Sequence, residues 1–317
     1  MTNKMSIQPA LTNDPAYREF LREALNSHPY PSQSGFNVHA IGVTKSGLKI
    51  IGGNHEYGIT SAIHAEESLR ANWAEKAGPK DLIETLGFAT KEDSEMFFPC
   101  GNCRDVLKDI ISPTGNMIYG NPDGKMEKLP LYKLYSDDHK KLHGINVTAQ
   151  LQRLVDDALD SLNKSYDYTL SDKNKNSLYA ASIQTKSGEI FSAGFEGDIA
   201  YHPSLPIRNA QILLKHSPGI TENRLSIDKL VIVQKTKPYV PYKDRQYLTE
   251  FVEASNFFLG KNNYSNPVPI YLFEVEDDGK IKNRWRTFSS DWLPFPFSPK
   301  ALGFQNELKN SIDKLFR

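Results

Sequence analysis

The chain has 317 residues, with 38 Lys plus Arg balanced by 38 Asp plus Glu, so its formal net charge is zero. That length suits one large domain or two of medium size, and the balanced charge argues against a chain built to ride on nucleic-acid phosphates. An apolar fraction of 39% with 11% aromatics supports a packed core and excludes wholesale disorder.

No stretch approaches the roughly 20 apolar residues that a membrane span needs, and the opening MTNKMSIQPALTNDP lacks a signal-peptide core. The expected location is the cytoplasm. Residues 1–30 read as an N-terminal helical segment. Asn13 or Asp14 can cap the helix, Pro15 suits its first turn, and AYREFLREAL continues it with helical apolar spacing. GFNVHAIGVTKSGLKIIGGN reads as a hairpin, with β-rich runs over 36–43 and 48–52 around Lys45-Ser46-Gly47. HAEESLRANWAEKA predicts a helix, EMFFP a short buried strand ending at Pro99, and CGNCRDVLKDII a further helix. MIYG and LPLYKLY are candidate strands, and VTAQLQRLVDDALDSL is a helical link to the C-terminal half.

The C-terminal half looks like a second copy. Thr44-Lys45-Ser46-Gly47 recurs as Thr185-Lys186-Ser187-Gly188, an offset of 141 residues. The same offset sets LKIIGG against EIFSAG and IHAEESL against LPIRNAQIL, so hairpin and then helix occur twice. The predicted fold class is α/β: two tandem three-layer α/β/α units with mixed sheets. The first spans residues 31–145; the second, degenerate, fills 146–317 together with the linker helix.

The chemistry concentrates in His64-Ala65-Glu66 and Pro99-Cys100-Gly101-Asn102-Cys103, which hold both cysteines of the chain. A lone C-x-x-C suits a redox pair as well as half of a metal site. Zinc accepts imidazole nitrogen and thiolate sulfur, and three protein ligands leave the fourth position for water. A C-x-x-C at a helix start turns both sulfurs to one side, where the positive helix end favours thiolates. A redox pair explains neither His64 nor Glu66. The combined H-x-E…P-C-x-x-C pattern is the signature of zinc-dependent deaminases, with the Glu as proton shuttle rather than ligand.

With these residues in view, the chain resembles the two-domain, homodimeric cytidine deaminases of bacteria and plants. The resemblance rests on Phe36-Asn37-Val38 through Gly53-Asn54-His55-Glu56, on IHAEES, on FFPCGNCRDVL, on AYHPSLPIRNAQILL, and on the tail WLPFPFSPKALGF. It implies one zinc per chain held by His64, Cys100 and Cys103, with Glu66 catalytic. It implies that Asn54 and Glu56 bind the ribose hydroxyls, that Phe36 packs on the pyrimidine, and that the Ala65 backbone contacts the base. A segment of the second domain reaches the partner subunit's site in that family, which points to Ala200 and Tyr201 and to a homodimer. The implied reaction is hydrolytic loss of the C4 amine of cytidine or deoxycytidine. Alternatives are deamination of another cytosine-containing nucleoside, nucleotide or polynucleotide, and a non-catalytic, zinc-stabilised nucleoside-binding protein.

There are departures from the family pattern. The segment between His64 and Cys100 is long, and the first domain lacks an obvious counterpart of the family's tail motif. Glu67 stands where family members with three cysteine ligands carry an Arg. In the second copy, His64 becomes Leu205, Glu66 becomes Ile207, Asn54 becomes Phe195 and Glu56 becomes Gly197, so that copy is expected to hold no metal.

Overall fold

The structure is a computed structural model that describes residues 9–57, 62–91, 98–135, 140–141, 147–167, 177–197, 203–217, 226–258 and 267–294. The chain divides into two units, Met1–Ser136 and Asp137–Arg317. Each is α/β, as the alternation of strand and helix signals predicts.

In the first unit, β1 (Ala10–Leu11) leads into α1 (Pro15–Ala24), β2 (Tyr30–Pro31), the hairpin β3 (His39–Thr44) and β4 (Lys49–Gly53), then β5 (His55–Glu56) and β6 (Ala62–Ile63). After them come α2 (Ala65–Lys76), β7 (Ile83–Ala89), α3 (Gly101–Leu107), β8 (Ile111–Gly120), β9 (Met126–Pro130) and a 3-10 helix over Leu131–Tyr135. The main sheet has the order β1-β9-β8-β7-β3-β4. Its neighbours run antiparallel except for β7 and β8, the parallel pair that α3 connects. Asp14 caps α1 by accepting from the Ala16 N–H at 2.9 Å, with Pro15 in the first helical position. Leu21 and Ala24 of α1 pack on Ile41, Ala89, Ile118 and Met126, one face of the sheet. Helix α2 covers the other face. It lies so close to β4 that a Cβ on Gly52 would come within 2.5 Å of the Ala65 oxygen and the Leu69 nitrogen.

The second unit repeats this order: β10 (Lys140–Lys141), α4 (Ala149–Asn163), β11 (Tyr179–Thr185), β12 (Ile190–Gly194), α5 (Pro206–His216), β13 (Ile227–Gln234), α6 (Tyr242–Phe258), β14 (Pro269–Val275), β15 (Ile281–Phe288) and α7 (Ser289–Trp292). Its sheet order is β10-β15-β14-β13-β11-β12, with β13 and β14 the parallel pair. Leu154, Val155 and Ala158 of α4 pack with Ala180, Val231 and Val233 on one face. Ile207, Ala210 and Leu214 of α5 join Leu248 and Phe251 of α6 on the other.

The repeated tetrapeptide makes the same turn twice. Gly47 has φ +88° and Gly188 has φ +90°, a region that side chains with a Cβ avoid. The Gly N–H donates to Thr44 O in one turn and Thr185 O in the other. The threonine hydroxyl accepts from the Leu48 N–H and the Glu189 N–H, each at 3.2 Å. Buried arginines match as well. Arg104 donates to Pro99 O and Leu134 O, and Arg245, 141 residues on, to Val240 O and Trp292 O.

Two sequence expectations need correction. The strand beside β3 is Ile83–Ala89, inside the stretch that had looked like an elongated connection. Phe98 and Pro99, the described end of EMFFP, are irregular, and residues 95–97 lie outside the described residues. LPLYKLY is strand only to Pro130, which ends the ladder before the 3-10 helix begins. No helix among the described residues is long and apolar enough to cross a membrane.

Candidate metal centre and active site

Three donor side chains meet where α2 and α3 begin. His64 is the N-cap of α2, and Cys100 is the N-cap of α3 with Cys103 three residues on. The N-cap and third positions of one helix share a side, so the two sulfurs converge. Cys100 Sγ and Cys103 Sγ are 3.5 Å apart, and His64 Nδ1 lies 3.7 Å from the first and 3.2 Å from the second. Tetrahedral zinc with ordinary bond lengths would set S···S at about 3.8 Å and S···N at about 3.6 Å. The spacing therefore fits three corners of a zinc tetrahedron, and the donor set is one that zinc prefers. Among the described residues no second cluster of this kind occurs.

The four ionisable groups here perturb one another strongly. Hydrogen bonding to Cys103, and then to His64, holds the Cys100 thiol down to about 4 against the effect of burial. The bond to Cys100 raises His64 to about 9, and burial pushes Cys103 well above the thiol range. Glu66, in the second position of α2, is only 7% exposed. Burial, reinforced by the Cys100 thiolate, lifts it to about 7.

Four of the remaining predicted residues, Phe36, Asn54, Glu56 and Ala65, lie in the same unit as these donors. Glu56 pairs with Ala62 across β5 and β6, two residues before His64. Its carboxylate accepts from the Ser34 hydroxyl at 2.6 Å and from the Gln33 and Ser34 N–H groups at 2.7 and 2.8 Å, which lowers its pKa and keeps it ionised. Asn54 accepts from the Val38 N–H and donates to Phe36 O, each at 2.9 Å, and so braces the half-buried Phe36. Each of these bonds leaves Asn54 one further N–H and one further lone pair. Ala65 is buried at the first position of α2. Ala200 and Tyr201 lie outside the described residues.

Sequence reasoning missed the residues that hold these groups: Ser34, Arg104, Asn102 and, above all, Glu67. The capping-box spacing of His64 and Glu67 was a readable signal for the last.

In the second unit, Leu205 occupies the N-cap of α5 and cannot cap it. Asp244, at the position of Cys103, ties the two helix starts by hydrogen bonds. Fully buried, it accepts from the Ile207 and Arg208 N–H groups at 3.0 and 3.1 Å and from the Tyr179 hydroxyl at 2.8 Å. Burial lifts its pKa to about 7 against the pull of these donors. Asp244→Ala would strand two buried donors and one part-buried donor and is expected to cost about 3 kcal/mol or more. Urea unfolding, monitored by the fluorescence of Trp285 and Trp292, measures this, and an unchanged midpoint would remove the cross-link role.

No protein-family model matches the chain. It is 26% identical over 216 residues to a curated protein named cytidine deaminase from Proteus mirabilis (strain HI4320), covering 64% of this chain and 67% of that one. It is 27% identical over 219 residues to one of the same name from Yersinia pestis (strain Pestoides F), covering 63% and 67%. A solved cytidine deaminase from Burkholderia pseudomallei aligns at 23% identity and TM-score 0.33, over 38% of this chain and 93% of that one. Zinc-type donors thus gather beside a buried glutamate in a chain that is similar, over nearly two thirds of its length, to curated proteins named cytidine deaminase.

Proposed function

We propose that the chain is a zinc-dependent deaminase of free pyrimidine nucleosides, converting cytidine or deoxycytidine to uridine or deoxyuridine and ammonia, as in pyrimidine salvage. The observation that carries this reading is the convergence of His64, Cys100 and Cys103 at tetrahedral spacing beside buried Glu66. His64 Nδ1 and the two sulfurs would hold one zinc per chain. Bound there, zinc supplies a hydroxide-like nucleophile at neutral pH. Glu66 takes the proton of the attacking water, passes it to N3 of the base, and assists departure of ammonia. The Ala65 backbone contacts the base and Phe36 packs on it. Asn54, through its unused donor and acceptor, and ionised Glu56 take the ribose hydroxyls.

In this reading the chemistry belongs to residues 31–145, and 146–317 carry the linker helix and a zinc-free copy. A homodimer belongs to the reading, with Ala200 and Tyr201 at the partner's site. Ile212 and Leu213 on α5 are 43% and 50% exposed, apolar surface that an assembly would cover. A cytoplasmic location also belongs to it, consistent with two free cysteines poised for metal.

The test is turnover of cytidine, deoxycytidine, free cytosine and a single-stranded oligonucleotide by the zinc-loaded protein. Either nucleoside is expected to exceed free cytosine and the oligonucleotide by at least about 10²-fold in kcat/KM, because free cytosine lacks the hydroxyls that Asn54 and Glu56 would bind and ionised Glu56 would repel a 3′ phosphate. Equal rates on the oligonucleotide would overturn the ribose clamp, and no turnover of any of the four would overturn the enzyme reading.

A further inference from the structure

Glu67 joins the two helix starts that carry the metal donors. At the third position of α2, its Oε2 accepts from the His64 N–H at 2.8 Å, and its Oε1 accepts from Asn102 Nδ2 at 3.1 Å. His64 supplies the imidazole, and Asn102 is the residue next to Cys103 in the C-x-x-C turn. One half-buried carboxylate therefore spans both ligand-bearing segments without being a ligand. A second tie lies one turn on, where the Arg70 guanidinium donates to Val106 O.

The second unit gives an internal comparison. There the ligands are gone, Arg208 stands at the position of Glu67 and Lys243 at that of Asn102, yet a carboxylate again links the two helix starts, now Asp244 of α6 to the N–H groups of α5. Both units thus meet the same mechanical need. In each unit the two helix starts are tied by hydrogen bonds to one carboxylate. In the first unit the place of Asp244 is taken by Cys103, so the carboxylate comes from α2.

We propose that Glu67 is a positioning residue which, through Asn102, keeps His64, Cys100 and Cys103 at ligating distance and so slows loss of the metal. This rests on the reading of the three donors as a zinc site. Metal-ligand orientation by outer carboxylates is worth about 10–100-fold in affinity in general. Glu67→Ala and Asn102→Ala are each expected to speed zinc release to a chromogenic chelator by about 10-fold or more. The double variant should do little worse than either alone, because both break one link. Glu67→Gln should recover most of the loss. Its amide oxygen still accepts from the His64 N–H, and a flipped Asn102 presents its oxygen to the new NH₂.

The measurements are zinc release and zinc affinity by competition, with thermal unfolding of the metal-stripped protein alongside. A wild-type protein that takes up no zinc overturns the metal reading itself. A wild-type protein that binds zinc while Glu67→Ala and Asn102→Ala release it at the wild-type rate overturns the positioning role alone. So does a Glu67→Gln variant as leaky as Glu67→Ala, since that would assign the effect to charge. A loss of metal-free stability equal to the loss of zinc affinity also overturns it, by assigning the effect to the fold.

Discussion

Glu66→Gln is expected to keep the metal and the fold and to lose turnover by at least about 10²–10⁴-fold, the usual worth of a general acid–base group. The loss belongs at the upper end, because one carboxyl serves both the attacking water and the leaving amine. The side chain sits in the second position of α2, two residues from the cap that supplies the imidazole donor. Its 7% exposure means that no bulk water can replace it as a proton carrier. Glutamine matches its shape and hydrogen-bonding reach but cannot ionise. Steady-state kinetics with cytidine, together with zinc content, read the result. A kcat within tenfold of wild type, with zinc retained, would falsify the proton-shuttle role.

The second large effect concerns the donors. Wild-type protein is expected to carry about one zinc per chain, and Cys103→Ala to carry far less and to turn over no cytidine above background. Cys103 is fully buried at the start of α3, within 3.2 Å of His64 Nδ1 and 3.5 Å of Cys100 Sγ, so no neighbouring water or side chain can move in to replace it without repacking. The second unit should be untouched, because Asp244 ties its helix starts without metal. Elemental analysis of the purified variants decides the matter. Two metals per wild-type chain, or a full complement in Cys103→Ala, would mean that the ligand set is wrong.

Much of the site was legible because its parts are local. A cap residue and the helix it starts lie within four positions, so His64 with Glu66, and Cys100 with Cys103, show their geometry in their spacing. The TKSG turns and the Asp14-Pro15 helix start were readable for the same reason. The strand Ile83–Ala89 was hidden. Its IETLGFA has little clean alternation, since Leu86 through Ala89 are all buried and Gly87 leaves room for Phe20 and Leu21 of α1.

Periodicity and spacing decide which residues can form a helix start, a hairpin turn or a pair of convergent sulfurs, because those choices turn on steric and hydrogen-bonding rules that reach only a few residues. The offset of 141 carried that local logic through a second copy and named the positions where the chemistry has gone. Tertiary structure alone decided what binds the distant pieces. Glu67 meets Asn102 across 35 residues, and Asp244 meets Ile207 across 37. No local pattern marks such pairs, because the burial that makes each carboxylate necessary exists only after the sheet has brought two helix ends to one place.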